Sequence, residues 1–262
     1  MQYETIAVAT DPRGIARVTL NRPDKHNAMN ARMIAELTSA AEALRGDADV
    51  RVVVLAGEGR SFCAGGDLGW MREQAEKDRA GKMSEARALA GMLGAWNALP
   101  KPVIGRVQGA AYGGGIGLIA VCDIAVASEG AKFALTETRL GLIPATIGPF
   151  VVRKLGEAFA RQVFFNGKPF GPDFALRSGL IAGTATDDML DGAVEAEVAA
   201  FLQCAPGAVA DAKALCLRLG GPDPLDQAEM TAGALADRWE TAEAQAGIAA
   251  FFARETPPWR TE

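Results

Sequence analysis

A chain of 262 residues with 49% hydrophobic and 23% charged side chains has the composition of an ordinary globular protein and is long enough for one large core. Twenty-seven basic against thirty-two acidic residues leave a net charge of −5 with no long basic run, which argues against nucleic acid as a partner. The single histidine, His26, argues against Ser/His/Asp or Cys/His triads and against a histidine zinc site, so no metal is expected.

The first residues, MQYETIAVAT, lack the basic end and apolar run of a secretory signal. No uncharged apolar stretch reaches the ~18 to 20 residues of a membrane span. A cytoplasmic protein without a membrane partner is the expectation. Cys63, Cys122, Cys204 and Cys216 are scattered without a CxxC pair, so reduced thiols are expected.

In chain order, the first strand signal is ARVTLN at 16–21. The turn-rich segment NRPDKHNAMN at 21–30 follows, in which His26 reads as a solvent-facing or loop-bracing residue. Met33, Ile34, Leu37, Ala41 and Leu44 then have helical spacing. A Val-rich strand over 50–59 runs into a glycine-rich loop, Gly57 to Asp67, and a helix is predicted from about Leu68. Leu89, Met92, Leu93 and Trp96 mark a further helix. A strand over 101–109 leads into a second glycine loop, Gly109 to Gly117, and an apolar helix, before another strand over 122–130.

After about residue 185 strand signals stop. The segments 187–202, 206–219 and 223–254 read as alanine-rich amphipathic helices. Alternating strands and helices imply an α/β architecture followed by a helical region.

Each glycine loop joins a strand to a helix N-terminus, where unpaired N–H groups favour a negative oxygen. Taken singly, each also fits a tight structural turn. Neither is a nucleotide fingerprint, because Leu118 stands where G-x-G-x-x-G needs glycine and no GK[ST] follows.

Four segments occur in the order and spacing of one family: NRPDKHNAMN at 21–30, SFCAGGDLGWM at 61–71, VQGAAYGGGIGLIAVCDIAVAS at 107–128 and FALTETRLGLIPA at 133–145. With FFARETPPW at 251–259, the chain resembles the enoyl-CoA hydratase/isomerase (crotonase) family over nearly its whole length. The resemblance implies a spiral of ββα turns over residues 1–195, with helices over 196–262 that assemble a homotrimer or a dimer of trimers. No fixed-period repeat is visible in the sequence.

It also implies an acyl-CoA thioester as substrate and no cofactor beyond that CoA. By motif position, the amides of Ala64 and Gly114 would stabilise a thioester enolate, and Glu137 would be the catalytic carboxylate. Lys25, Ala28, Ala64, Gly66, Asp67 and Leu68 would follow the CoA path, with Arg254 reaching a phosphate. Trp70, Met71, Tyr112, Gly117, Leu140 and Ile143 would surround the acyl group. Asp67 also reads as a helix cap, and Asp123 as opening a strand.

One departure stands out. Family hydratases generally carry two glutamates, and Gly117 occupies the place of the first. A lone carboxylate serves a hydratase or a Δ3,Δ2-enoyl-CoA isomerase. The segments at 109–128 and 133–156 resemble bacterial methylglutaconyl-CoA hydratases, which puts hydration first, isomerisation second, and a non-catalytic CoA- or RNA-binding protein last. Apolar neighbours predict a raised pKa for Glu137.

Overall fold

A computed structural model describes residues 3–260. The first strands, β1 (Ile6–Thr10) and β2 (Ile15–Leu20), form an antiparallel hairpin. Beyond a 3-10 turn at Pro23–Lys25 comes α1 (Ala31–Gly46), whose first turn is capped by the Asn30 side chain accepting from Met33 N–H at 2.9 Å.

Strand β3 (Val52–Gly57) is buried on both faces, as its unbroken apolar run demands of a covered parallel strand. Then follow α2 (Leu68–Glu76), α3 (Arg79–Asn97), β4 (Val103–Val107), β5 (Ala110–Tyr112) and α4 (Gly114–Ala120). Strands β6 (Ile124–Ser128) and β7 (Lys132–Ala134) lead into a 3-10 turn at Glu137–Leu140. The rest is α5 (Gly148–Phe164), α6 (Pro172–Arg177), β8 (Gly183–Ala185), α7 (Leu190–Leu202), α8 (Pro206–Leu219), a 3-10 turn at Pro224–Gln227, α9 (Ala228–Trp239) and α10 (Ala242–Ala253).

The main sheet has the order β1-β2-β3-β4-β6-β8 and is parallel after the first pair. A second ladder, built on β5 and β7, is extended by the bridges Cys63 to Ala111 and Phe133 to Phe170. Each turn of chain thus contributes to both ladders and then enters a helix: β3, Cys63 and α2; β4, β5 and α4; β6, β7 and the Glu137 turn. This is the ββα spiral that the family resemblance implies. Its turns begin at residues 52, 103 and 124, an uneven spacing that explains why no fixed period shows in the sequence.

Alternation along β3 divides the core. Val53 and Leu55 pack with Leu37 and Leu93 on one side, while Val52 and Val54 meet Leu190, Val194 and Val198 of α7 on the other. The expected boundary at residue 195 therefore falls inside a helix that covers the main sheet. By contrast, α8 has no buried residue and leaves Leu215 and Leu219 exposed. Helices α9 and α10 return to the spiral, where Trp239, Ala244 and Ile248 form a small core with Leu142.

Candidate active site

The loop of residues 57–67 is held by the polar segment before α1. Asn27 donates its side-chain amide to the carbonyls of Glu58 and Ser61, both at 2.8 Å, and His26 Nδ1 lies 3.0 Å from Ser61 Oγ. His26 thus braces a loop, one of the two roles read from its context. Met29 N–H donates to the Gly65 carbonyl at 2.7 Å, and Asp67 N–H donates to the Met29 carbonyl at 2.8 Å.

This pairing decides which amides of the loop are available. Ala64 N–H donates to the His26 carbonyl at 3.0 Å, so it is already engaged, and Ala64 is absent from the cavity wall. Gly65, at φ +95°, turns the chain by a conformation that disfavours side chains. The next residue, Gly66, bridges Met29 through its neighbours' groups, and its own N–H finds no acceptor among the described residues. The expectation of a free Ala64 amide is therefore corrected: Gly66, two residues on, carries it.

In the second loop, Gly114 keeps its place at the cavity wall. Gly113, at φ +48°, turns β5 into α4, and its N–H is held by the Ala134 carbonyl at 2.9 Å. Gly114 is the first residue of α4, where no preceding carbonyl is in helical register to accept its N–H. Gly66, Gly114 and Glu137 all line one cavity of about 150 Å³.

Glu137 begins its 3-10 turn with Oε1 beside Gly113: a Cβ built on that glycine would lie 3.2 Å away. Its Oε2 is buried without a hydrogen-bond partner. Burial pushes the Glu137 carboxyl up from 4.5 to about 7, against a smaller opposing hydrogen bond from its own backbone. The raised value is the one expected from its apolar sequence neighbours.

The remaining walls are mostly apolar. Trp70, Met71 and Ile143 line the cavity together with Met29 and Ile147, and α9 adds Leu235 and Trp239. Sequence reasoning missed the α9 wall, which has no local signal. Three residues expected around the acyl group lie elsewhere. Gly117 is buried where a Cβ would meet Ile147 Cγ2 at 2.7 Å. Leu140 packs with Leu142 and Trp239 in the C-terminal core, and Tyr112 stays in β5, its carbonyl behind Gly65.

Of the residues expected along the CoA path, only Gly66 reaches this cavity. Asp67 caps α2, accepting from Gly69 N–H at 2.8 Å and Trp70 N–H at 3.2 Å, and pairs with Arg22 at 2.9 Å. Burial works to raise its carboxyl, but these donors prevail and hold it below the usual range. Arg22 also donates to the Ala28 carbonyl at 2.6 Å, tying the two loops together. Lys25 and Leu68 are exposed nearby, and Arg254 is exposed at the end of α10. Asp123 precedes β6 and accepts from Val103 N–H and Lys213.

Three larger clefts, of about 290, 430 and 650 Å³, contain neither Gly66, Gly114 nor Glu137. Among these clefts of the described residues, the small cavity is the one that joins unclaimed amides to a buried carboxyl. Such an arrangement stabilises negative charge on a substrate oxygen while a proton moves nearby.

The sequence profile described as enoyl-CoA hydratase/isomerase matches residues 10–262. The enoyl-CoA hydratase ACTT6 of Alternaria alternata is 36% identical over 214 residues, covering 81% of this chain and 68% of that one. The hydratase AKT6-1 of the same organism is 34% identical over 186 residues, 71% of this chain but 59% of its own length. A crystal structure described as a putative enoyl-CoA hydratase from Mycobacterium avium paratuberculosis K-10 is 34% identical and superposes with a TM-score of 0.88, covering 98% of this chain and 99% of that one.

Proposed function

Because the chain belongs to the enoyl-CoA hydratase/isomerase family, we propose that it adds water across the double bond of a 2-enoyl-CoA thioester. The observation that carries this reading is the shared cavity of Gly66, Gly114 and the buried Glu137 carboxyl. The two N–H groups would donate to the thioester oxygen, each worth roughly 3 to 4 kcal/mol once that oxygen becomes an enolate. No cofactor beyond the substrate's CoA enters the scheme.

One carboxyl suffices for the proton balance. As a water oxygen bonds to C3, its proton passes to the Glu137 carboxylate and the π electrons move onto the thioester oxygen. The enolate then collapses, and Glu137 returns that proton to C2. A carboxyl raised to about 7 is suited to both transfers near neutral pH. The motif resemblance favours a branched, methylglutaconyl-type acyl group. Isomerisation is the second reading, supported by Ile147, which fills the place beside Gly117 where a second carboxylate would stand.

We further propose a homotrimer or dimer of trimers, whose assembly is supported by the exposed Leu215 and Leu219 of α8, and a cytoplasmic location, which rests on the sequence expectation alone. An absorbance assay tests the activity. Hydration of crotonyl-CoA or 3-methylglutaconyl-CoA erases the conjugated enoyl absorbance, whereas isomerisation of a 3-enoyl-CoA creates it. Binding of acyl-CoA without either change would sink both readings.

A further inference from the structure

Behind the Gly114 amide lies a cation that the proposed chemistry does not touch. Lys154, on α5, is partly buried and donates its ammonium to the carbonyls of Ile119, at 3.4 Å, and Cys122. These oxygens stand at the C-terminal end of α4, the helix whose first residue is Gly114.

Among the described residues, no carboxylate pairs with this ammonium. The nearby Asp123 is claimed by Lys213 Nζ and Val103 N–H, both at 2.7 Å. Burial pushes the Cys122 thiol up to about 12, so it is neutral at physiological pH. With Lys154 and Lys213 set against Asp123, the end of α4 keeps one net positive charge. Burial lowers the Lys154 pKa from 10.5, while Cys122 and Asp123 work to raise it.

A helix carries a partial negative charge at its C-terminus. Because α4 has only seven residues, its ends are about 10 Å apart at the helical rise. Left bare, its carbonyl end would weaken the pull of the Gly114 N–H on a negative oxygen. An ammonium seated on those carbonyls reverses the effect. Ile147, the N-cap of α5, packs on Gly117 from the side. One element, α5, therefore fixes both the position and the polarity of α4.

We propose that Lys154 is a positioning residue that strengthens the Gly114 amide as an enolate donor by holding positive charge on the C-terminal carbonyls of α4. Lys154 is absent from the cavity wall and acts through the helix. The inference rests on the reading that Gly114 faces a thioester enolate, but not on whether water adds or the double bond moves. A unit charge roughly 12 Å from that oxygen, at an effective dielectric constant of about 20, changes the anion's stability about tenfold. Partial exposure of Lys154 brings the expected effect to about three- to tenfold.

Acetoacetyl-CoA tests this without turnover, because its enolate absorbs in the near ultraviolet and its bound pKa reports how well the site holds a negative oxygen. Titration in a Glu137→Gln background keeps a second carboxyl out of the curve. That background protein should lower the ligand's pKa below its value in free solution. Lys154→Gln keeps an N–H donor but no charge, and should raise the bound pKa by about 0.5 to 1, the same three- to tenfold. Butyryl-CoA, a thioester that stays neutral, should bind within about twofold of the parent. Lys154→Arg should keep most of the effect. With Glu137 present, Lys154→Gln should lower kcat by about three- to tenfold at unchanged KM. Lys154→Met takes its place if the glutamine variant does not fold.

The inference is overturned if a folded, uncharged variant leaves the bound pKa and kcat unchanged, if Lys154→Arg loses as much as Lys154→Gln, or if butyryl-CoA weakens in the same proportion. A background protein that leaves the ligand's pKa at its solution value would overturn the enolate reading of the site, and this inference with it.

Discussion

Gly117 and Ile147 are packed so closely that a methyl group on the glycine would sit 2.7 Å from Ile147 Cγ2 and 3.2 Å from its Cβ. The place where related enzymes carry a glutamate is therefore occupied by hydrocarbon from the start of α5. The lone carboxylate at Glu137 is built into the packing of the cavity wall and is more than a substitution at one position.

Gly117→Ala should destabilise the protein by about 1 to 3 kcal/mol, the usual cost of overpacking a filled core. Ile147→Ala opens a cavity of its own, but in the double variant the two volumes offset each other. Denaturant titration of the four proteins should give a double variant more stable than the sum of the single losses predicts. Strict additivity would show that the two side chains do not compete for one space.

Glu137→Gln should lower turnover by roughly 10²- to 10⁴-fold while acyl-CoA still binds. In the intact protein, kcat/KM should rise with pH through about 7, as the carboxylate that accepts the water proton forms. The same residue sets a stability signature. Its folded pKa lies above the ordinary 4.5, so between those values the folded chain binds more protons than the unfolded one, and stability falls as pH rises. The loss approaches about 3 kcal/mol above pH 7 and vanishes well below pH 4.5. Melting curves should show Glu137→Gln more stable than the parent at pH 8 and not at pH 4.

How much of this site is legible in the sequence varies with the distance over which each feature is decided. Gly114 and Glu137 are singled out by the motif resemblance, since taken locally a glycine loop also fits a tight turn and most glutamates are solvated, and both line the cavity. The available amide of the first loop is different. Ala64 and Gly66 have similar local chemistry, and only pairing with His26 and Met29, more than thirty residues away, decides that one N–H is engaged and the other is not. Gly117 announced a missing carboxylate, but not that Ile147 would fill the space. Nothing near Lys82, which also lines the cavity, marks it as a cavity residue, because its wall exists only once α2 and α3 are folded over the spiral.

Gly66 and Ala64 can be separated by experiment. A Cβ at Gly66 would make only ordinary contacts, the nearest 3.5 Å from Met71 Cγ, so Gly66→Ala should retain fold and most activity. Gly66→Pro deletes the N–H itself, and kcat should fall by about 10²- to 10³-fold. Circular dichroism confirms folding in each case. Full activity in a folded Gly66→Pro protein would return the role to another amide.

Trp239 offers a test of how the C-terminal helices enter catalysis. It is 9% exposed, lines the cavity from α9, and packs with Leu142, Ala244 and Ile248. Arg238 beside it donates Nε–H to the Gly141 carbonyl at 2.5 Å, fastening α9 to the segment that carries Glu137. Truncating the indole removes a wall without touching the carboxyl or the two amides. Trp239→Ala should therefore cost about 3 to 5 kcal/mol of stability. It should also shift the chain-length profile, with longer enoyl-CoA substrates gaining kcat/KM relative to crotonyl-CoA. Arg238→Met weakens the fastening while leaving the wall in place, so its effect should fall on all chain lengths alike. Identical profiles for the two variants would mean that α9 supports the cavity without shaping it.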